Sequence, residues 1–204
     1  GAGAVPWGDV AAWGVALSGA LETAHRAGIT HRDIKPENVL FDTAGTPKLV
    51  DFGIAGVPGA YRTATGSVTL TLAHAAPEVV AGGRGGVPGD IYSLACVLYE
   101  MLSGDPPFTG STAQAIVARV MTEVPRPLGT QRRTVPPHVE EAVFTALEKL
   151  PADRWASAKE FADALGGDGP TTRRHDGRSV AGRTAEPPSG QAASIPGRLA
   201  AFTP

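Results

Sequence analysis

Cysteine, lysine and long apolar runs are scarce in this 204-residue chain. Its single cysteine, Cys96, cannot form a disulfide within the chain, which excludes a small secreted fold held by disulfide bonds. No uninterrupted apolar run reaches the roughly 18 residues of a membrane-spanning helix, and no basic segment followed by an apolar one opens the chain. The net charge of -2 gives no general attraction to nucleic acids or acidic membranes. We therefore expect a cytoplasmic protein with no membrane span in this chain and no nucleic-acid partner.

The residues that are present are typical of a globular domain followed by a polar tail. Apolar residues make up 42% of the chain and charged residues 19%, and the length suffices for one domain with a buried core. From Gly166 onward the sequence is rich in Gly, Pro and Arg and poor in large apolar residues. We expect a folded domain over residues 1–165 and a disordered linker or tail over residues 166–204.

Periodicity predicts one helix and then a small hairpin in the first part of the chain. Apolar residues recur at helical spacing over residues 9–27, with Asp9 as the predicted N-cap and Gly28 just beyond the end. Two short β-like runs, Val39–Phe41 and Lys48–Val50, flank the turn sequence DTAGTP and predict an antiparallel pair.

The second part of the chain is predicted to be helical, with loops at residues 63–71 and 82–90. The run from Ile91 to Leu102 is apolar nearly all round and lacks Gly and Pro, which predicts a helix buried on most of its faces. Three more helices are predicted at Ser111–Thr122, Pro137–Leu150 and Ser157–Leu165.

The stretch THRDIKPENVLF, residues 30–41, concentrates charged and polar side chains just before the first β-like run. Pro36 disfavours a regular helix and pushes Lys35 towards extended geometry, so Asp33 and Lys35 project to the same side. A carboxylate beside an ammonium suits phosphoryl transfer, which needs a proton acceptor and a cation near the transferred group. Asn38, and Asp51 further along the chain, add oxygen ligands suited to Mg²⁺.

Three motifs resemble those of the protein kinases and occur in the same order. HRDIKPEN (31–38) is similar to the catalytic loop, DFG (51–53) to the metal-binding motif, and APE (76–78) to the end of the activation segment. The chain thus resembles the large lobe of a bacterial, eukaryotic-like serine/threonine protein kinase, from about Val10 to Leu165. The resemblance implies a protein kinase-like (α+β) fold, present here as the mainly α-helical large lobe with a small β-hairpin at the active site. It also implies ATP and Mg²⁺ as cofactors and Ser/Thr hydroxyls of protein substrates as acceptors.

The same resemblance assigns roles to five residues of the active site. Asp33 would be the catalytic base that orients the substrate hydroxyl and accepts its proton, and Lys35 would neutralise the γ-phosphate during transfer. Asn38 and Asp51 would hold Mg²⁺. Leu40 would form part of the apolar floor under adenine.

Other matching residues would support the fold of the site. His31 and Phe52 resemble members of the stacked apolar spine that joins the two lobes of a kinase. Glu78 and Arg154 resemble a buried ion pair at the end of the activation segment, a geometry that suits a bidentate guanidinium. Asp90 resembles the carboxylate that holds the backbone of the catalytic loop.

Residues for regulation and for substrate choice also follow from the resemblance. The guanidinium of Arg32 is expected to face inward and to await an anion, which suggests control by a phosphorylated activation loop. The candidate phosphorylation sites are Thr63, Thr65 and Ser67. Thr71 matches the threonine that bonds towards the catalytic Asp and Lys, which favours Ser/Thr over Tyr as the acceptor.

The chain departs from the kinase family in the segment before His31. In the family, a Gly-rich loop, a strand lysine and a helix glutamate precede the catalytic loop, whereas no lysine precedes Lys35 here. We therefore expect the small lobe to be absent and this chain alone to have negligible kinase activity. The region that would dock the substrate matches the family less well. His74 lies where the family often has Tyr, and Leu70 lies where it often has Gly.

Two interpretations of such a fragment stay open. In the first it is a piece of an active kinase, which a first residue of Gly rather than Met modestly favours. In the second it is a free-standing lobe used as a binding or regulatory module, with a partner covering the face where the small lobe would dock. Small-molecule phosphotransferases are disfavoured, because they are not expected to combine these three motifs. A membrane anchor beyond Pro204 stays open.

Overall fold

The structure, a computed structural model, describes residues 5–52 and 72–167. Within these ranges the chain forms seven α-helices and one two-stranded sheet. This agrees with the prediction of a mainly helical fold with a small hairpin. The helices are α1 (Trp7–Arg26), α2 (Pro77–Val80), α3 (Gly86–Ser103), α4 (Ala113–Thr122), α5 (Leu128–Gln131), α6 (Pro137–Ala146) and α7 (Ala158–Gly166). The strands are β1 (Val39–Phe41) and β2 (Pro47–Leu49).

Helix α3 is the centre of the core. It is buried almost all round, as its apolar sequence predicts, and α1, α6 and α7 pack against it. The helix begins at Gly86, so the prediction of a loop as far as Asp90 was wrong. Pro88 lies in the first turn, where its missing N–H costs no helical hydrogen bond, and the apolar pattern starts only after that turn.

Helix α1 buries one stripe of residues against α7 and α3. The buried residues are Val10, Ala11, Gly14, Leu17, Ser18 and Leu21. The helix begins at Trp7, so the prediction of Asp9 as its N-cap was wrong. The backbone N–H of Asp9 already donates to the carbonyl of Pro6, at 3.1 Å, which places Asp9 inside the first turn. Its carboxylate there faces the positive end of the helix dipole.

The packing of α1 on α3 and α7 leaves no free space for a side chain at one glycine. A Cβ atom added to Gly14 would lie 2.8 Å from Leu165 Cδ1 and 2.9 Å from Leu98 Cδ1. Gly19, on the same helix, has no such neighbour within 4 Å. Gly14 therefore sets how closely the first helix approaches the core.

The hairpin forms as predicted, with its second strand one residue earlier than expected. Val39 pairs with Leu49 and Phe41 pairs with Pro47. Asp42 closes the turn, because its Oδ1 accepts from the backbone N–H groups of Ala44 at 3.0 Å and Thr46 at 2.9 Å. These hydrogen bonds lower the pKa of Asp42, with that from Thr46 contributing most.

The remaining predicted helices are present with shifted ends. Helices α4 and α7 are capped by Thr112 and Ser157, whose hydroxyl groups each accept a backbone N–H at 3.1 Å. Helix α6 stops at Ala146, although the apolar spacing predicted it as far as Leu150. Leu150 is 63% exposed and directly precedes Pro151, so it does not continue the buried stripe.

The predicted tail, residues 166–204, lies outside the described residues except for its first two positions. Gly166 ends α7, and Gly167 caps it in the left-handed conformation, with φ of 82°. Over residues 5–52 and 72–167, no helix combines the length and the apolarity that crossing a bilayer requires.

Candidate active site

The backbone of the motif loop is anchored on a carboxylate of the core helix. Asp90, which is 2% exposed, accepts from the backbone N–H of His31 through Oδ2 at 2.7 Å and from that of Arg32 through Oδ1 at 2.8 Å. Arg32 adopts φ of 65°. This conformation costs a residue other than glycine roughly 1–3 kcal/mol, so it persists only where the surrounding structure holds it. The two hydrogen bonds to Asp90 hold this strained turn in place.

A second histidine, which sequence reasoning missed, contacts the same carboxylate. His25 Nε2 lies 2.9 Å from Asp90 Oδ2, and the side chain of His25 is 5% exposed. Within the described residues, Nδ1 of His25 is buried without a hydrogen-bond partner. A carboxylate only accepts, so Nε2 is the donor. The sequence carried a signal for this contact, because His25 lies four residues after Leu21 and so extends the buried stripe of α1.

Three predicted residues, Asp33, Lys35 and Asn38, meet in the loop. Lys35 Nζ donates to Asp33 Oδ2 at 2.8 Å. Asn38 Nδ2 donates to the carbonyl of Asp33 at 2.7 Å and to its Oδ2 at 3.2 Å. Lys35 is extended, with φ of -157° and ψ of 164°, as Pro36 after it predicts. A carboxylate held in this way can orient a hydroxyl group and accept its proton.

The hairpin brings Asp51 to the same end of the loop. The backbone N–H of Val50 donates to the carbonyl of Asn38 at 3.0 Å, so the residue after Val50 emerges beside the asparagine. Asp51 has φ of 57°, and within the described residues its exposed carboxylate makes no hydrogen bond. The NH₂ group of Asn38 already donates to Asp33, so its amide oxygen is free to bind a cation. This oxygen and the carboxylate of Asp51 are ligands of the kind that Mg²⁺ prefers.

His31 and Phe52 stack behind the loop. Their ring centroids are 4.5 Å apart, with 39° between the ring planes. His31 is fully buried, and its Nε2 lies 3.0 Å from the carbonyl of Val50. Because that carbonyl can only accept, Nε2 carries the proton and Nδ1 is left to accept the long contact, 3.4 Å, from the N–H of Asp33. The imidazole thus joins the loop to the end of the hairpin.

Other predicted site residues lie at the surface or outside the described ranges. Leu40 is 53% exposed on β1. The guanidinium of Arg32 does not face inward as expected: it is exposed, and Nε donates to Thr30 Oγ1 at 2.9 Å. Four predicted regulatory residues lie outside the described residues: Thr63, Thr65, Ser67 and Thr71.

Arg154 and Glu78 form a bidentate ion pair. Nη1 donates to Oε1 at 2.8 Å and Nη2 donates to Oε2 at 2.7 Å. The three remaining N–H groups of the guanidinium donate to the carbonyls of Pro88, Glu148 and Lys149. All five donors of the buried guanidinium are therefore satisfied, and it joins the APE segment to the start of α3 and to the chain after α6.

His74, at the position where the sequence departs from the kinase pattern, packs onto the core helix. It is 4% exposed, and its Nε2 lies 2.7 Å from Oε2 of Glu100 on α3. The side chain of Glu100 is 31% exposed. This contact is a polar link between the segment just before APE and α3.

An anchored loop carrying a paired carboxylate and ammonium, next to a hairpin that ends in a second carboxylate, defines the class of the protein as a kinase large lobe. Comparison with known families agrees: the family model of the protein kinase domain matches residues 3–166. The chain belongs to the protein kinase family.

Relatives among curated proteins are serine/threonine-protein kinases from mycobacteria. The chain is 37% identical over 164 residues to PknK of Mycobacterium tuberculosis, covering 80% of this chain and 15% of PknK. It is 43% identical over 142 residues to PknL of the same organism, covering 69% of this chain and 35% of PknL. The chain therefore spans about a third or less of the length of these relatives.

A solved structure shares the fold. The crystal structure of Rad53 in complex with AMP-PNP matches with a TM-score of 0.63 and 27% identity. The match covers 80% of this chain and 40% of that chain. The helical arrangement described above is therefore that of part of a protein kinase.

Proposed function

We propose that this chain is the large-lobe part of a serine/threonine protein kinase that transfers the γ-phosphoryl group of ATP to Ser/Thr hydroxyls of protein substrates. The observation that carries the proposal is the carboxylate of Asp33, held by both Lys35 and Asn38 in a loop that Asp90 anchors. The names of the mycobacterial relatives support it.

Each residue of the loop contributes a separate step. Asp33 orients the acceptor hydroxyl and takes its proton as the oxygen attacks. Lys35, beside it, moves between the carboxylate and the transferred group and balances negative charge there. Asn38 and Asp51 hold Mg²⁺, which when bound with ATP neutralises phosphate charge.

The exposed face of the hairpin is the proposed place for adenine and for the small lobe. Leu40 and Phe41 are 53% and 44% exposed, which is high for large apolar residues on a strand. Leu40 would lie under adenine. Phe41, the next residue of the strand, projects from the opposite face and packs edge-on against Trp13 of α1, with centroids 4.6 Å apart. A small lobe, or a partner in its place, would cover the face that carries Leu40.

The regulatory part of the proposal concerns the segment outside the described residues. Phosphorylation of Thr63, Thr65 or Ser67 would provide an anion for Arg32, whose guanidinium is exposed and able to turn. Thr71 would select Ser/Thr acceptors. We also propose a cytoplasmic location for this part of the protein.

A chimaera tests the proposal. We would join this chain to the small lobe of PknL and measure phosphoryl transfer from ATP to a generic Ser/Thr substrate. We expect turnover in the chimaera and none from this chain alone. Asp33→Asn should lower turnover by roughly 10²–10⁴-fold, the usual contribution of a general base. Glu37→Gln, an exposed position in the same loop, is the matched control and should change turnover little.

The alternative function is a lobe that binds a partner without catalysis. The exposed residues Leu40 and Phe41 are the observation in its favour. A chimaera that binds a fluorescent ATP analogue yet shows no turnover above that of Asp33→Asn would support this alternative and contradict the kinase proposal.

A further inference from the structure

One of the four lysines differs from the others in its partner. Three of them each have an aspartate at ion-pair distance: Lys35–Asp33 at 2.8 Å, Lys48–Asp42 at 3.6 Å and Lys159–Asp163 at 2.6 Å. Over residues 5–52 and 72–167, Lys149 has no carboxylate at that distance. Its ammonium is the one of the four that lacks a countercharge in direct contact within this part of the chain.

The groups in direct contact with the amine of Lys149 are uncharged. Nζ donates to the carbonyl of Val120 in the last turn of α4, at 2.7 Å. It also lies 4.0 Å from the centroid of the Phe108 ring. Lys149 is only partly exposed. An ammonium in this position loses part of its hydration. The carbonyl and the ring replace only part of the stabilisation that water would give.

Burial shifts the amine of Lys149 towards its neutral form. Burial lowers the pKa of Lys149 to about 8, and the positive charge of Arg154 acts in the same direction. The carboxylates of Glu148 and Glu123 and the group at Cys96 oppose this shift without cancelling it. Burial raises the pKa of the Cys96 thiol, so that group stays protonated at neutral pH. Lys149 is therefore a neutral nucleophile more often than an ordinary lysine.

We propose that Lys149 is the preferred site of Nε-acylation on this chain by small acyl phosphates. The lone pair of neutral Nζ attacks the carbonyl carbon of the acyl phosphate and forms an N–C bond. The bond between the carbonyl carbon and the oxygen that bridges to phosphorus breaks. Inorganic phosphate leaves with the electron pair of that bond. The proton lost from the nitrogen passes to solvent. The step needs no protein base, because it starts from the fraction of the amine that is already neutral, and it does not depend on kinase activity.

Acylation would change the contacts that tie α4 to the rest of the lobe. An amide nitrogen carries no positive charge, so its attraction to the Phe108 ring is lost and its bond to the Val120 carbonyl weakens. Phe108 also lines a polar cleft with Arg119, Glu123 and Val124. The modification would therefore alter the surface formed by the end of α4 and the loop before it.

The test compares the four lysines of one molecule. The folded chain is treated with acetyl phosphate, and the rate at each lysine is followed by peptide mass spectrometry. At about pH 7.5, a pKa near 8 gives roughly a hundredfold more neutral amine than a pKa near 10.4. The lower basicity of Lys149 reduces this gain, so we expect Lys149 to react faster than Lys48 or Lys159 by a factor smaller than the ratio of neutral amine. Its rate should level off above about pH 8, whereas theirs should keep rising.

Two controls keep the proposal falsifiable. In the urea-unfolded chain the four rates should become equal, because burial is gone. Lys149→Arg should remove the fast site and leave the rates at Lys48 and Lys159 unchanged. Acylation of Lys149 at the same rate as Lys48 and Lys159, or more slowly, would overturn the inference. A preference that persisted in urea would do the same, since it would come from local sequence and not from the fold.

Discussion

Replacing Arg154 by lysine should destabilise this lobe more than a change that preserves charge usually does. The guanidinium makes five hydrogen bonds, two of them to Glu78 at 2.8 and 2.7 Å and three to backbone carbonyls. Its side chain is 0% exposed, whereas that of Glu78 is 21% exposed. An ammonium has three donors on one atom and cannot reach acceptors spread around a planar fork.

The magnitude follows from the bonds that are lost. At least two of the five go unmade, and hydrogen bonds to a charged group contribute about 1.5–3 kcal/mol each. The free energy of unfolding should therefore fall by roughly 3–5 kcal/mol, the range found when a buried pair is broken. For a lobe of this size the melting temperature should fall by about 10 °C.

Urea unfolding followed by circular dichroism measures this change. Arg26→Lys is the matched control: Arg26 is 77% exposed and pairs with Glu22 at 3.1 Å within α1. That variant should lose less than about 0.5 kcal/mol, as exposed pairs within a helix do. A loss below about 1 kcal/mol for Arg154→Lys would refute the reasoning, because it would mean that the carbonyls do not depend on the guanidinium.

Three further predictions concern the packing, the loop and the hairpin. Gly14→Ala should lower the free energy of unfolding by about 1–3 kcal/mol, because the added methyl group overpacks the core. Gly19→Ala, where the space is open, should raise it by about 0.5–1 kcal/mol. Urea unfolding of both variants measures these changes. His25→Phe should leave Asp90 without one donor, so the two loop amides bound to Asp90 should exchange hydrogen faster by NMR; unchanged exchange would show that the histidine does not hold the loop. The folded pKa of Asp42 is lowered, so its stabilisation is present above the unfolded pKa of about 3.9 and disappears as pH falls through the folded value. The Asp42→Asn variant should therefore show a weaker loss of stability in acid, measured by unfolding across that range.

Sequence reasoning succeeded where the chemistry is local. Asp33, Lys35 and Asn38 lie within six residues, and Pro36 limits how the chain between them can run, so their meeting needs no distant partner. The turn at Asp42 is likewise closed by its own side chain. The one-residue error in β2 arose at Pro47, because proline is disfavoured inside strands although it is tolerated as the first residue of one.

It failed at particular contacts and helix ends that the motifs do not specify. His25 and Asp90 are 65 residues apart, and a histidine on a helix stripe does not reveal which carboxylate it meets. The start of α3 was missed because glycine and proline usually mark loops, although both are tolerated in a first turn. The exposure of Arg32 was missed because residue identity does not show which way a loop side chain projects.

By itself the sequence determined the family, the chemistry of the motif loop and most of the helices, because these depend on residue identity and short spacing. The resemblance already predicted that Asp90 holds the loop, but only the tertiary structure decided that His25 joins Asp90 and that all five donors of Arg154 are used. The structure also decided that Lys149 lies against a ring and a carbonyl while the other lysines meet carboxylates. The physical reason is that hydration, countercharge and close packing are set by which distant segments meet, and helical or strand periodicity shows only which face is buried.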